Sequence, residues 1–130
     1  MYKGTIENDI TVAANTLIPF KTEINSNANT TPVENSNAVA INTTGSYNIS
    51  VMMTVTDVAV TNITMDLTAN NTPIASTSTD ITADTGVVAL HIYDVERIAI
   101  APTAEKVKIG VALNAAATVS EAILIIEKVR

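Results

Sequence analysis

Gly45-Ser46-Tyr47-Asn48-Ile49-Ser50-Val51-Met52-Met53-Thr54-Val55-Thr56 alternates apolar and polar residues almost without a fault. Tyr47, Ile49, Val51, Met53 and Val55 fall on one face, and Asn48, Ser50, Thr54 and Thr56 on the other. A period of two over that length predicts a half-buried strand against a sheet and leaves no helical reading. Gly45 marks the turn into it.

Outward from this strand the same pattern returns in short runs. Towards the N-terminus, Ile10 and Val12 alternate with Asp9 and Thr11, and Leu17, Ile18 and Phe20 form a second apolar set around Pro19. Both read as edge strands, because a proline cannot donate to a ladder. Asn25 to Asn37 is crowded with turn formers around a lone Val33 and predicts a long surface loop. Val39 and Ile41 give a short strand. On the C-terminal side, Ile63, Met65 and Leu67 alternate up to Asn70-Asn71, a pair able to close a hairpin at positive φ. Ser76 to Gly86 reads as a weak strand with loops, Val87 to Tyr93 as an apolar run continued by Ile98 and Ile100, and Val107 to Leu113 as a clean alternation. Ala122-Ile123-Leu124-Ile125-Ile126 is apolar on both faces, which predicts a strand buried centrally or at a subunit interface. Eight to ten short strands with turn signals between them predict an all-β sandwich or barrel.

Composition bounds what such a sandwich can do. The chain has 130 residues, 47% apolar and 15% charged, enough for one core and too apolar for a disordered tail. Its net charge of −6 and lack of a basic cluster argue against nucleic acid. Tyr2, Phe20, Tyr47 and Tyr93 are the whole aromatic inventory, so no stacking platform for bases or sugars is expected. There is no cysteine for a disulfide or a thiolate nucleophile. The N-terminus shows no apolar signal core, and no window is long and apolar enough for a membrane helix. The expectation is synthesis in the cytoplasm and no membrane partner.

The residues that could carry chemistry are few. His91 is the single histidine, standing in an apolar run, and no triad assembles around it; Gly-x-Ser-x-Gly is absent. Asp80, Asp84, Asp94 and Glu96 could converge on calcium, yet the calcium-loop pattern is missing and solvated acids are the simpler reading. Five Asn-x-Ser/Thr sequons, at Asn29, Asn42, Asn48, Asn62 and Asn70, follow from a composition rich in Asn and Thr. No cofactor and no enzymatic activity are expected.

Taken in order, Gly45-Ser46-Tyr47, then Leu67-Thr68-Ala69-Asn70-Asn71-Thr72-Pro73-Ile74, then Asp94 to Ile100, then Ser120 to Val129 resemble the tumour-necrosis-factor and complement-globular-head superfamily, in its short phage and bacterial form. The resemblance spans about Asn37 to Arg130. It implies a jelly-roll β-sandwich that assembles as a homotrimer and works by display and binding. Within that frame segment 1–24 is expected to be part of, or docked on, a jelly roll over 25–130. Ile109, Val111, Leu113, Ile123 and Ile125 are the expected trimer interface. The leading functional expectation is a phage capsid decoration protein of the virion, holding the major capsid protein or another virion protein through Tyr2, Ile10, Leu17 and Phe20. The alternative is a receptor-binding or adhesive head of a phage tail or bacterial surface.

Overall fold

Residues Gly45 to Thr56 form one continuous strand whose odd positions, Tyr47 through Val55, are buried. The computed structural model describes residues 1–26, 28–33, 36–81, 86–100 and 106–129, and among them no helix occurs. The strands in chain order are β1 (Tyr2–Thr5), β2 (Ile10–Val12), β3 (Lys21–Asn25), β4 (Thr30–Val33), β5 (Ala38–Ile41), β6 (Gly45–Thr56), β7 (Asn62–Ala69), β8 (Thr72–Asp80), β9 (Val88–Ile98), β10 (Val107–Leu113) and β11 (Ala117–Lys128). One sheet runs β3-β1-β11-β6-β9, with β2 also on β11; the other runs β4-β5-β10-β7-β8. Every pairing is antiparallel.

From β5 onward the chain crosses between the sheets after almost every strand, returning to its own sheet only at the β7–β8 hairpin. This is the winding of a jelly-roll sandwich, as expected. The core lies between the sheets, filled by Tyr47, Ile49 and Val51 of β6, Leu124 and Ile126 of β11, Met65 and Leu67 of β7 and Ile109 to Leu113 of β10. The buried Tyr47 ring is possible because its hydroxyl donates to the Thr43 carbonyl at 2.6 Å, so no polar group is left unpaired. Asn70 and Asn71 close the β7–β8 hairpin at φ 51° and 65°, the left-handed geometry that a two-residue turn needs.

Three bulges interrupt the ladders, at Ser120, Glu23 and Ile74, and the first decides which side chains of β11 face out. Between Val119 and Glu121 the β6–β11 register shifts by one, leaving Ser120 as the extra residue, with its hydroxyl donating to the Thr54 carbonyl at 3.2 Å. Before the bulge Ala117 and Val119 face in; after it Ala122, Leu124 and Ile126 do. Ile123 and Ile125 are thereby turned outward. A second bulge, at Glu23, interrupts the pairing of β3 with β1.

The N-terminal quarter differs from its sequence reading. Tyr2–Thr5, too short to show a period, is an interior strand between β3 and β11. Leu17, Ile18 and Phe20 do not form a strand: Leu17 makes an isolated bridge to Ala112, and the Ile18 N–H donates to the Val111 carbonyl at 2.8 Å, extending the second sheet where β5 has ended. The chain thus passes from the first sheet to the second and back within its first 25 residues. The long loop expected over 25–37 contains β4, paired with β5 through Thr30 to Val33. Its strand character comes from tertiary pairing and not from local propensity.

An unpaired carboxylate at Val51 would sit in this core, so Val51→Asp is expected to destabilise the fold by several kcal/mol (~3 or more), while the outward Asn48→Asp changes it by less than about 0.5 kcal/mol. Urea denaturation of both variants checks the register. Deleting Met1 to Thr5 removes an interior strand and is expected to abolish the cooperative unfolding transition, read by circular dichroism.

Candidate functional site

The outward face of the first sheet carries apolar side chains that the monomer does not cover. Met52, Tyr93 and Val95 are 54%, 63% and 58% exposed, unusual for large apolar residues in the middle of long strands. Their neighbours follow from the register. Met52 lies opposite His91 on β9 and Ile123 on β11, while Ser50 lies opposite Tyr93 and Ile125. One strand further, Ile123 faces Thr5 and Ile125 faces Lys3 of β1. An apolar surface therefore spans three strands, β9, β6 and β11, roughly 10 Å at ordinary strand spacing, with β1 beside it. Charged residues bound it: Glu121 and Glu127 on β11, Arg97 on β9 and Lys3 on β1. An apolar centre with a polar rim is the usual anatomy of a protein-binding surface.

The expected interface residues divide between this face and the core. Ile123 and Ile125 are half-buried in the monomer and belong to the outward patch. Ile109, Val111 and Leu113 are fully buried inside the sandwich, between their own two sheets, and offer no surface to a neighbouring chain. Sequence reasoning missed Met52, Tyr93 and Val95, although Met52 breaks the alternation of its strand by standing on the polar face. That break was the available signal.

The four residues expected to hold a capsid are engaged with their own chain. Tyr2 is 1% exposed, its ring against Gly4, where an added Cβ would lie 2.5 Å from the hydroxyl. Burial raises the Tyr2 pKa above its ordinary value, and a hydrogen bond with Thr22 partly offsets this. Ile10 and Phe20 pack on the core. Leu17 lies over Gly110, where a Cβ would come within 2.7 Å of it. These side chains fasten the N-terminal segment to the two sheets.

The acidic residues do not build a metal centre. Among the described residues no three of His, Cys, Asp or Glu come together; Asp84 lies outside those residues. Asp80 accepts a hydrogen bond from the Asn62 amide at 2.9 Å. Asp94 and Glu96 share the inward side of the edge strand β9 with Leu90 and Ile92, opposite Ile49 and Tyr47. Carboxylates turned inward on an edge strand oppose the docking of a further strand there. Burial raises the Glu96 pKa above the ordinary carboxylate value, and the hydrogen bond and charge of Asp94 raise it further.

This makes a signed pH prediction. The folded chain holds the Glu96 proton more tightly than the unfolded chain, so the associated stability is present below the ordinary glutamate value and is lost as pH rises through the raised one. Urea denaturation between about pH 4 and pH 7 should show the wild type falling relative to Glu96→Gln. Parallel pH profiles of the two proteins would contradict the assignment.

No family model matches the sequence, and no curated protein matches it either. The fold has solved counterparts. The Eiger TNF of S. frugiperda superposes with a TM-score of 0.76 at 8% identity, over 99% of this chain and 93% of that one. Murine APRIL gives 0.72 at 8% identity, over 98% of each chain. Rabbit GITRL gives 0.61 at 10% identity, over 100% of this chain and 95% of that one. These counterparts correct the functional expectation: they are TNF-type proteins of animals and not virion components, and nothing ties this chain to a capsid or to the phage or bacterial form. The chain has the TNF-like jelly-roll fold.

Proposed function

We propose that the chain is a homotrimeric binding protein of the TNF ligand type, acting by engaging a partner protein and not by catalysis. One observation carries the reading: an apolar patch, Met52, Tyr93, Val95, Ile123 and Ile125, stands outward on the first sheet of a TNF-like jelly roll. Packing this face around a three-fold axis would cover it alike in every copy, each meeting the next through a heterologous contact that closes into a ring. Three copies then present their loops together. A partner with several receptor chains gains from such simultaneous engagement without needing a strong single contact.

The acidic, cysteine-free surface suits this role, since association must come from packing, not from disulfides between copies. No helix among the described residues is long and apolar enough to cross a membrane.

Sedimentation velocity at micromolar concentration is expected to give a trimer. Ile125→Lys, which places a charge on the patch while leaving the core untouched, should give a folded monomer. On animal cells, fluorescent wild-type protein should bind saturably and the Ile125→Lys monomer at least about tenfold more weakly. A wild-type monomer would overturn the assembly, and equal cell binding by trimer and monomer would overturn the ligand reading.

A further inference from the structure

On the outward face of the first sheet one row of the ladder runs from Ile123 on β11 through Met52 on β6 to His91 on β9. His91 is the single histidine of the chain, and it stands exposed between Ala89 and Tyr93 along its strand. Beside this row the short side chains of Thr54 and Ala89 leave a hollow of about 160 Å³, walled by Met52, His91, Ile123 and Glu121. The imidazole therefore borders the surface that neighbouring copies cover in the trimer.

The charged groups around it give His91 no partner on its own chain. Among the described residues the ion pairs are Lys3 with Glu23 and Lys21 with Glu7, and neither involves the imidazole. Glu121 borders the same hollow but belongs to β11, two strands from β9, which is roughly 10 Å at ordinary strand spacing. Glu127 and Arg97 lie further along the sheet, at the rows of Asn48 and Ser46, and Lys3 stands beyond Ile125 on β1. Asp94 and Glu96 share its strand but face inward. Asp80, on the β8 strand that also contacts β9, is bonded to Asn62. An imidazolium at this position is solvated by water in the free copy. In the covered copy nothing on its own chain replaces that water, so the charge becomes costly there.

We propose that His91 makes the assembly pH-sensitive: neutral, it is covered with the rest of the face, and protonated, it releases the neighbouring copies. This regulation rests on the trimer reading. Covering disfavours the imidazolium, so association is complete above the ordinary imidazole range of about pH 6.5 and is lost as pH falls below it. Each of the three histidines contributes up to about tenfold per pH unit. One unit below that range the association constant is then lower by roughly a thousandfold. Glu96 does not imitate the effect, because the stability it contributes grows as pH falls.

The test is sedimentation velocity over a concentration series at about pH 7.5 and about pH 5.5, one on each side of the imidazole range, with circular dichroism as the check on folding. Wild type is expected to weaken its trimer by roughly a thousandfold between the two. The neutral variants His91→Gln and His91→Leu should each keep one association constant at both within about threefold, and His91→Lys, charged throughout, should stay a folded monomer. A wild-type trimer equally strong at both, or stronger in acid, would overturn the role of His91 while leaving the trimer in place. Equal acid weakening of wild type and the neutral variants would also overturn it, by assigning the sensitivity to another group. A wild-type monomer at the higher pH would overturn the trimer reading and this regulation with it.

Discussion

The ladder between β6 and β11 is what the rest of the structure depends on. It pairs the two longest strands of the first sheet at ten positions from Thr118 and Thr56 to Lys128 and Tyr47, and it is broken once, at Ser120. Alternation on β6 is fixed by its own sequence. Alternation on β11 is not, since Ala122 to Ile126 is apolar at every position. The single extra residue at Ser120 settles the matter by sending Leu124 and Ile126 to the core and Ile123 and Ile125 outward. Without it the sandwich interior would receive Glu121. The core and the outward patch are thus two consequences of one backbone irregularity.

That dependence explains what the sequence made legible. Tyr47 to Val55, Ile63 to Leu67 and Val107 to Leu113 alternate large apolar residues with polar or small ones, Met52 excepted, so their buried faces could be read directly, as could the Asn70-Asn71 turn. The excess apolar surface was also visible, but its location was not. Val107 to Leu113 looked like surplus only because the strands that cover it, β6 and β11, belong to the other sheet. The surplus that remains in the monomer stands on β6, β9 and β11, where Met52, Tyr93 and Val95 occupy nominally polar positions.

The N-terminal segment was the least legible. Tyr2–Thr5 and Thr30–Val33 contain a glycine or a proline and no period, and they become strands because β11 and β5 present free edges beside them. The apolar residues there looked like anchors awaiting a partner. In the fold, Tyr2, Leu17, Ile18 and Phe20 tie the segment to both sheets in turn, with Gly4 and Gly110 leaving room for the Tyr2 and Leu17 side chains. Attachment to a capsid through Tyr2, Ile10, Leu17 and Phe20 required those residues to be available. Their engagement within the chain removes that attachment, and the solved counterparts share the TNF-like fold and are not virion components.

The edges of the sandwich complete the account. The β8–β9 side carries inward acids on β9, the β3–β4 side a bulge and a proline, and neither invites another strand. Association is therefore left to the apolar face and not to sheet extension. The absence of native cysteine makes the most direct measurement clean: place one cysteine at Met52 and, in a second protein, one at the exposed Ser76, and compare their rates of alkylation by a maleimide across protein concentration. A face covered by neighbouring copies predicts Met52→Cys reacting at least about tenfold more slowly at micromolar concentration, with the protection lost on dilution. Equal rates for the two sites at every concentration would contradict the account.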